Sequence, residues 1–133
     1  GIAHVFLSSH SVHGWSPRVL RAGMGAHFML QIHEQCDLVA IARGFKGRLI
    51  ATSHHAIKTV FDADLTGSVA LAFGNEGAGL SQPLANMAHD VVAIPMAGSV
   101  ESLNVAAAAA VCLFERVRQL RAAEITPPSR RMR

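Results

Sequence analysis

Short apolar runs separated by polar, glycine-bearing turns set the rhythm of this chain. The first run is His4-Val5-Phe6-Leu7, and a polar loop from Ser8 to Gly14 ends it. Ser16 followed by Pro17 predicts a helix start, because a serine side chain caps free N–H groups and proline presets φ at the first helical position. That helix is expected to reach Leu30. Gly23 and Gly25 inside it each cost about 1 kcal/mol relative to alanine, so something is expected to pack closely against that turn. Asp37 is a candidate cap for a second helix through Phe45 that ends near Gly47.

Leu49-Ile50-Ala51-Thr52 and Val69-Ala70-Leu71-Ala72-Phe73 read as buried strands, apolar on both faces as a parallel sheet requires. An irregular stretch from Ser53 to Gly67 lies between them. A short helix is expected over Ser81 to Ala88, and another strand over Val91 to Ile94. The last helix, from Ser102 or Asn104 to Ala123, carries Val105, Ala109, Cys112, Leu113, Val117 and Leu120 on one face, with Arg116, Arg118 and Arg121 toward the others. Its run Ala106 to Ala110 is small enough to let another backbone approach. Strands separated by helices imply an α/β fold with a mostly parallel sheet flanked by helices.

A chain of 133 residues is one domain by length, read as residues 1–125 followed by a basic tail over 126–133. Half of the residues are hydrophobic and 16% are charged, which leaves spare apolar surface and predicts an oligomer. There is no apolar run of membrane-spanning length and no signal peptide, so the expectation is a soluble, cytoplasmic protein. Cys36 and Cys112 are expected as buried thiols in a reducing compartment. A net charge of +3 is compatible with a polyanionic partner without demanding one. Arg130, Arg131 and Arg133 follow the helix-ending Pro127-Pro128, and are either a solvated terminus or a phosphate-contacting arm.

The chemistry concentrates in Phe73-Gly74-Asn75-Glu76-Gly77-Ala78-Gly79-Leu80-Ser81 and in Ile94-Pro95-Met96-Ala97-Gly98-Ser99-Val100-Glu101-Ser102-Leu103-Asn104-Val105. Each block is an apolar run that stops at a glycine-bearing turn and then reads as a helix start. That is the grammar of a ligand site at the carboxyl ends of parallel strands, and two such turns in succession imply one shared pocket. A P-loop is excluded, because no Gly-Lys-Ser/Thr follows the glycine turn, and the dinucleotide fingerprint lacks its spacing and its acidic residue. His10, His13 and the adjacent His54-His55 invite a metal reading, but no second motif of ligand residues joins either pair, so no metal is expected. Trp15 could stack on a base or simply pack.

The two blocks resemble the second and third signature motifs of the SpoU/TrmH-type RNA ribose 2′-O-methyltransferases of the SPOUT superfamily, the third being the more specific. The resemblance extends upstream through Ser16 to Ala26 and downstream through Val111 to Arg118. It implies a deep trefoil knot near the C-terminus, with S-adenosylmethionine bent between the Gly74 to Ser81 turn, the Ile94 to Leu103 turn and the segment around Thr52. The cofactor-binding positions it implies are Thr52, Phe73, Gly74, Asn75, Gly77, Gly79, Leu80, Ile94, Pro95, Met96, Ser102 and Leu103.

Glu76, Ser102 and Asn104 match functional residues of the family. Glu76 would orient the site near the sulfonium or the RNA, or else pair with local N–H groups. Ser102 and Asn104 would organise the loops or contact substrate, and either could cap the last helix. Arg18 and Arg21 are the RNA-binding candidates, with surface salt bridges as the alternative. The family's first motif, an Asn with a downstream Arg usually assigned to activating the hydroxyl, lies before the segment that resembles this chain. The expectation is therefore a methyltransferase acting on rRNA or tRNA, here without its opening segment and paired as a homodimer through the last helix and the Ser16 to Leu30 helix. The alternatives are a catalytically incomplete module that binds adenosylmethionine or RNA, and an unrelated nucleotide-binding α/β domain.

Overall fold

The computed structural model describes residues 1–75, 77–98 and 103–125. It falls into two compact units, Gly1–Phe45 and Lys46–Arg133.

In the first unit, β1 (His4–Phe6) and β2 (Gln31–His33) pair in parallel, with Val5 opposite Ile32. Helix α1 is Pro17–Gly23, with Ser16 accepting from the Val19 N–H, and α2 is Leu38–Gly44. Asp37 caps α2 as expected, accepting from the Ala40 N–H at 3.0 Å. The helix expected to reach Leu30 instead stops at Gly23. Met24 (φ 49°) and Gly25 (φ 86°) both turn left-handed, which no α-helix continues through, and a short 3-10 turn over Ala26–Phe28 leads into β2. Strand β2 was not anticipated, because three residues are too few to show an alternating pattern. The close packing expected at Gly23 is the His27 ring, since a Cβ there would stand 2.8 Å from His27 Nδ1.

Polar contacts pin this unit around the buried Gly14. Its N–H donates to Glu34 Oε1 (2.7 Å), and its carbonyl accepts from His27 Nε2 (2.6 Å). Trp15 packs edge-on against His27. Cys36 is only half-buried, against expectation, and its thiol donates to the Glu34 carbonyl.

The second unit holds β3 (Arg48–Thr52), β4 (Val69–Ala72), α3 (Gln82–Asn86), β5 (Asp90–Val92) and α4 (Val105–Ile125). Its three strands are parallel in the order β4-β3-β5, so the chain crosses β3 between its second and third strands. Ile50, Val60, Leu65, Val92 and Cys112 are fully buried and form the core beneath that sheet. Burial pushes the Cys112 thiol up to about 11. Asp90 is fixed by both Arg48 (2.5 Å) and Lys58 (2.6 Å), and the Lys58 hydrogen bond is the chief cause of its lowered pKa.

Helix α4 bears out the expected apolar face in part: Cys112 is buried and Ala109, Leu113 and Leu120 are half-buried, whereas Val105 and Val117 are exposed and Glu115 joins the buried line. Glu115 is held in the ionised form by Arg118 (2.8 Å). Gln119 accepts from the Leu65 N–H and donates to the Ala63 carbonyl, and Arg116 donates to the carbonyls of Leu65 and Gly67. These side chains satisfy the backbone of a strand-free connection, which is why polar residues occupy the inner face. Among the described residues no helix is long and apolar enough to cross a membrane.

Candidate functional site

Because β3, β4 and β5 run parallel, the loops that follow them emerge on one edge of the sheet, where α/β folds place their ligands. A cavity of about 680 Å³ lies at that edge. Thr52 enters it from the end of β3, and its hydroxyl donates to the Ala72 carbonyl (3.1 Å), tying β3 to β4 where the glycine turn begins. Ser53 continues the edge by donating its N–H to the Val92 carbonyl (2.9 Å).

The turn after β4 folds back on its own backbone. A Cβ on Gly74 would sit 2.2 Å from the Gly79 carbonyl carbon and 2.3 Å from the Leu80 nitrogen, so only glycine fits there. Asn75 closes the loop, with its side-chain oxygen accepting from the N–H groups of Gly77 (3.2 Å) and Ala78 (2.7 Å) and its carbonyl from Gly79 (3.0 Å). Gly79 takes φ 66°, the left-handed region that favours glycine.

Phe73, Gly74, Asn75, Gly77, Gly79 and Leu80 line the cavity from this turn, and Ile94, Met96 and Leu103 line it from the second crossover. Pro95 and Asn104 are not among the lining residues. Asn104 accepts from the Ala106 N–H (2.9 Å), the capping arrangement of a helix start, while Val105 and Ala108 of α4 reach the cavity wall. Glu76, Glu101, Ser102 and the 126–133 tail lie outside the described residues. Arg18 and Arg21 are exposed on α1 of the first unit. Among the described residues no group of three or more metal-ligating side chains converges.

Several lining residues were missed by the sequence reading. Gln82, Ala85 and Asn86 of α3 form one wall, and His54 and His55 extend the end of β3. The spacing of the α3 residues places them on one helix face, a signal present in the sequence once the preceding turn is known to face a pocket.

The model of the SpoU rRNA methylase family matches residues 1–114. A 23S rRNA (guanosine-2'-O-)-methyltransferase, RlmB, of a Burkholderia species is 46% identical over 109 residues, covering 80% of this chain and 44% of its own. An uncharacterized tRNA/rRNA methyltransferase of Synechocystis is 37% identical over 122 residues, covering 90% of this chain and 44% of its own. The chain thus spans under half the length of these relatives. Among solved structures, the SpoU methyltransferase AviRb of Streptomyces viridochromogenes, in complex with AdoMet, superposes with a TM-score of 0.80 at 33% identity, over 90% of this chain and 50% of that one. An α/β fold of parallel sheets and helices, two glycine-bearing turns at one cavity and a family match along most of the sequence lead to one conclusion: the chain belongs to the SpoU rRNA methylase family.

Proposed function

We propose that this chain forms the S-adenosylmethionine-binding part of an RNA ribose 2′-O-methyltransferase acting on ribosomal or transfer RNA. The observation that carries the reading is the cavity, in which a turn locked against its own backbone at Gly74 faces the crossover through Ile94 and Met96. Its volume of about 680 Å³ falls within the range of small-molecule sites. Phe73, Ile94 and Leu103 offer half-buried apolar surface suited to an adenine, beside backbone polar groups that can fix its orientation.

When bound, the cofactor supplies a methyl group already activated by its sulfonium charge. The protein has to hold methyl and ribose oxygen in line and handle one proton. In this reading the backbone at Gly74, Ile94, Met96 and Leu103 holds the adenosine, with Thr52, Asn75, Gly77, Gly79, Leu80 and Ser102 completing the cofactor's surroundings and Pro95 stiffening the crossover between Ile94 and Met96. Glu76 and Ser102 orient the reacting groups, and Asn104 keeps the second crossover in place by capping α4. Arg18 and Arg21 contact RNA phosphate, and no metal takes part.

Residues 1–125 form the methyltransferase domain and 126–133 a basic arm. The loops over 74–81 and 94–103 with the segment around Thr52 form the family's trefoil knot, which family membership and the small residues of these loops support. Exposed Phe114, Val117 and Ile125 on α4, with Leu20, Met24 and Phe28, support a homodimer. Transfer of tritiated methyl to bulk RNA, inhibited by S-adenosylhomocysteine, is the expected outcome. Cofactor binding without transfer, also in a chain extended to the length of its relatives, would reduce the protein to a binding module.

A further inference from the structure

The adjacent pair His54-His55 has no role in the reading above. Both side chains lie on the turn that follows β3, line the cavity and are exposed. The turn is fixed to the sheet and to itself: the Ser53 N–H donates to the Val92 carbonyl (2.9 Å), the Ser53 hydroxyl oxygen accepts from the His55 N–H (3.3 Å), and the Ser53 carbonyl accepts from the Ala56 N–H (3.2 Å). The two imidazoles are 3.7 Å apart, centroid to centroid, with their planes inclined by 45°.

Among the described lining residues, these are the two basic side chains; the others are apolar, hydroxyl-bearing, amide-bearing or glycine. Two adjacent imidazoles at the mouth of a cavity bring ring N–H donors to one place, a chemistry suited to an anion. The described residues that line the cavity offer no carboxylate to play that part.

We propose that His54 and His55 form the lip of the cavity on which the substrate RNA rests a phosphodiester group while its ribose enters. This rests on the functional reading above and names a contact to RNA that reading lacks. The exposed position favours a polymer passing the mouth over the tail of a small molecule whose adenosine occupies the half-buried apolar wall of Phe73, Ile94 and Leu103.

The test compares the wild-type chain with H54A/H55A and H54K/H55K. Filter binding to ribosomal RNA transcribed in vitro is measured across a salt series, and adenosylmethionine affinity by calorimetry. The expected result is RNA binding weakened about tenfold by the double alanine variant, with a shallower salt dependence, and restored by the double lysine variant. Adenosylmethionine affinity should stay within about twofold, well under the 1.4 kcal/mol of a tenfold change. Unchanged RNA affinity and salt slope in H54A/H55A would overturn the proposal, as would a wild-type chain that binds no RNA. A matching loss of cofactor affinity would also overturn it, by putting the methionine carboxylate against the pair. A wild-type chain that binds no adenosylmethionine defeats the underlying reading, whereas intact cofactor binding with unaltered RNA binding defeats this inference alone.

Discussion

The two units are built by different forces. In residues 46–125 the strands and α4 enclose large side chains from which solvent is wholly excluded, Ile50, Val60 and Leu65 among them. In residues 1–45 no large apolar side chain reaches that state, and the unit is organised by directional contacts: Glu34 and His27 on Gly14, and the stacked rings of His4, Phe6 and His33. Apolar burial is non-directional and cumulative, so it fixes a scaffold whose loops can be shaped freely. Polar pins are specific and individually removable, and the one made by Glu34 depends on its carboxylate being ionised. The described lining of the cavity belongs to the unit with the core, which is where positional precision can be held.

The largest expected effect is at the site. Gly74→Ala places a methyl group inside backbone van der Waals distance of Gly79 and Leu80. Adenosylmethionine affinity should fall at least about a thousandfold, ~4 kcal/mol, by calorimetry. An affinity within tenfold of wild type would mean that the turn does not shape the site.

Next comes the contrast in packing. Ile50→Ala, at a position with no solvent exposure, should cost about 3 kcal/mol in denaturant unfolding, whereas Ile32→Ala, half-buried in β2, should cost about 1 kcal/mol. Equal costs would erase the distinction between the units.

The polar pins make the first unit acid-sensitive. The Gly14 N–H, and after it His13, hold Glu34 below its ordinary value of 4.5. A carboxylate with a depressed pKa lends its stabilisation above that ordinary value and loses it as pH falls through the lower, folded-state value. Emission from Trp15, the sole tryptophan, should therefore change on acidification below the usual carboxylate range, and Glu34→Gln should flatten that change. Asp90 is depressed in the same direction by Lys58, so an identical profile in the Gln variant would assign the transition elsewhere. The smallest effect is Asp37→Ala, which removes one cap from α2 and should cost about 1 kcal/mol.

What was legible in the sequence follows the same division. The apolar runs of β3 and β4, the Asp37 cap and the existence of α4 could be read directly, because burial and capping leave strong local signals. The end of α1 was misplaced, since the Gly23-Met24-Gly25 stretch was read as close packing inside a helix rather than as its left-handed end, and β2 is too short to show a period. On α4 the apolar stripe showed only part of the inner face, because Arg116 and Gln119 turn to the 63–67 backbone, a requirement set by a segment distant in sequence, and the buried Glu115 holds Arg118 and Gln119. The two turns at the cavity were legible as turns. The contributions of α3 and of His54-His55 depended on which strands lie side by side.

The central claim is that the cavity between the Gly74 turn and the Ile94 crossover holds the methyl donor. A crystal structure determined with saturating adenosylmethionine tests it most directly. The account predicts the adenosine against Gly74, Ile94 and Leu103; density for the cofactor elsewhere on the protein, with this cavity closed or filled by side chains, would contradict it.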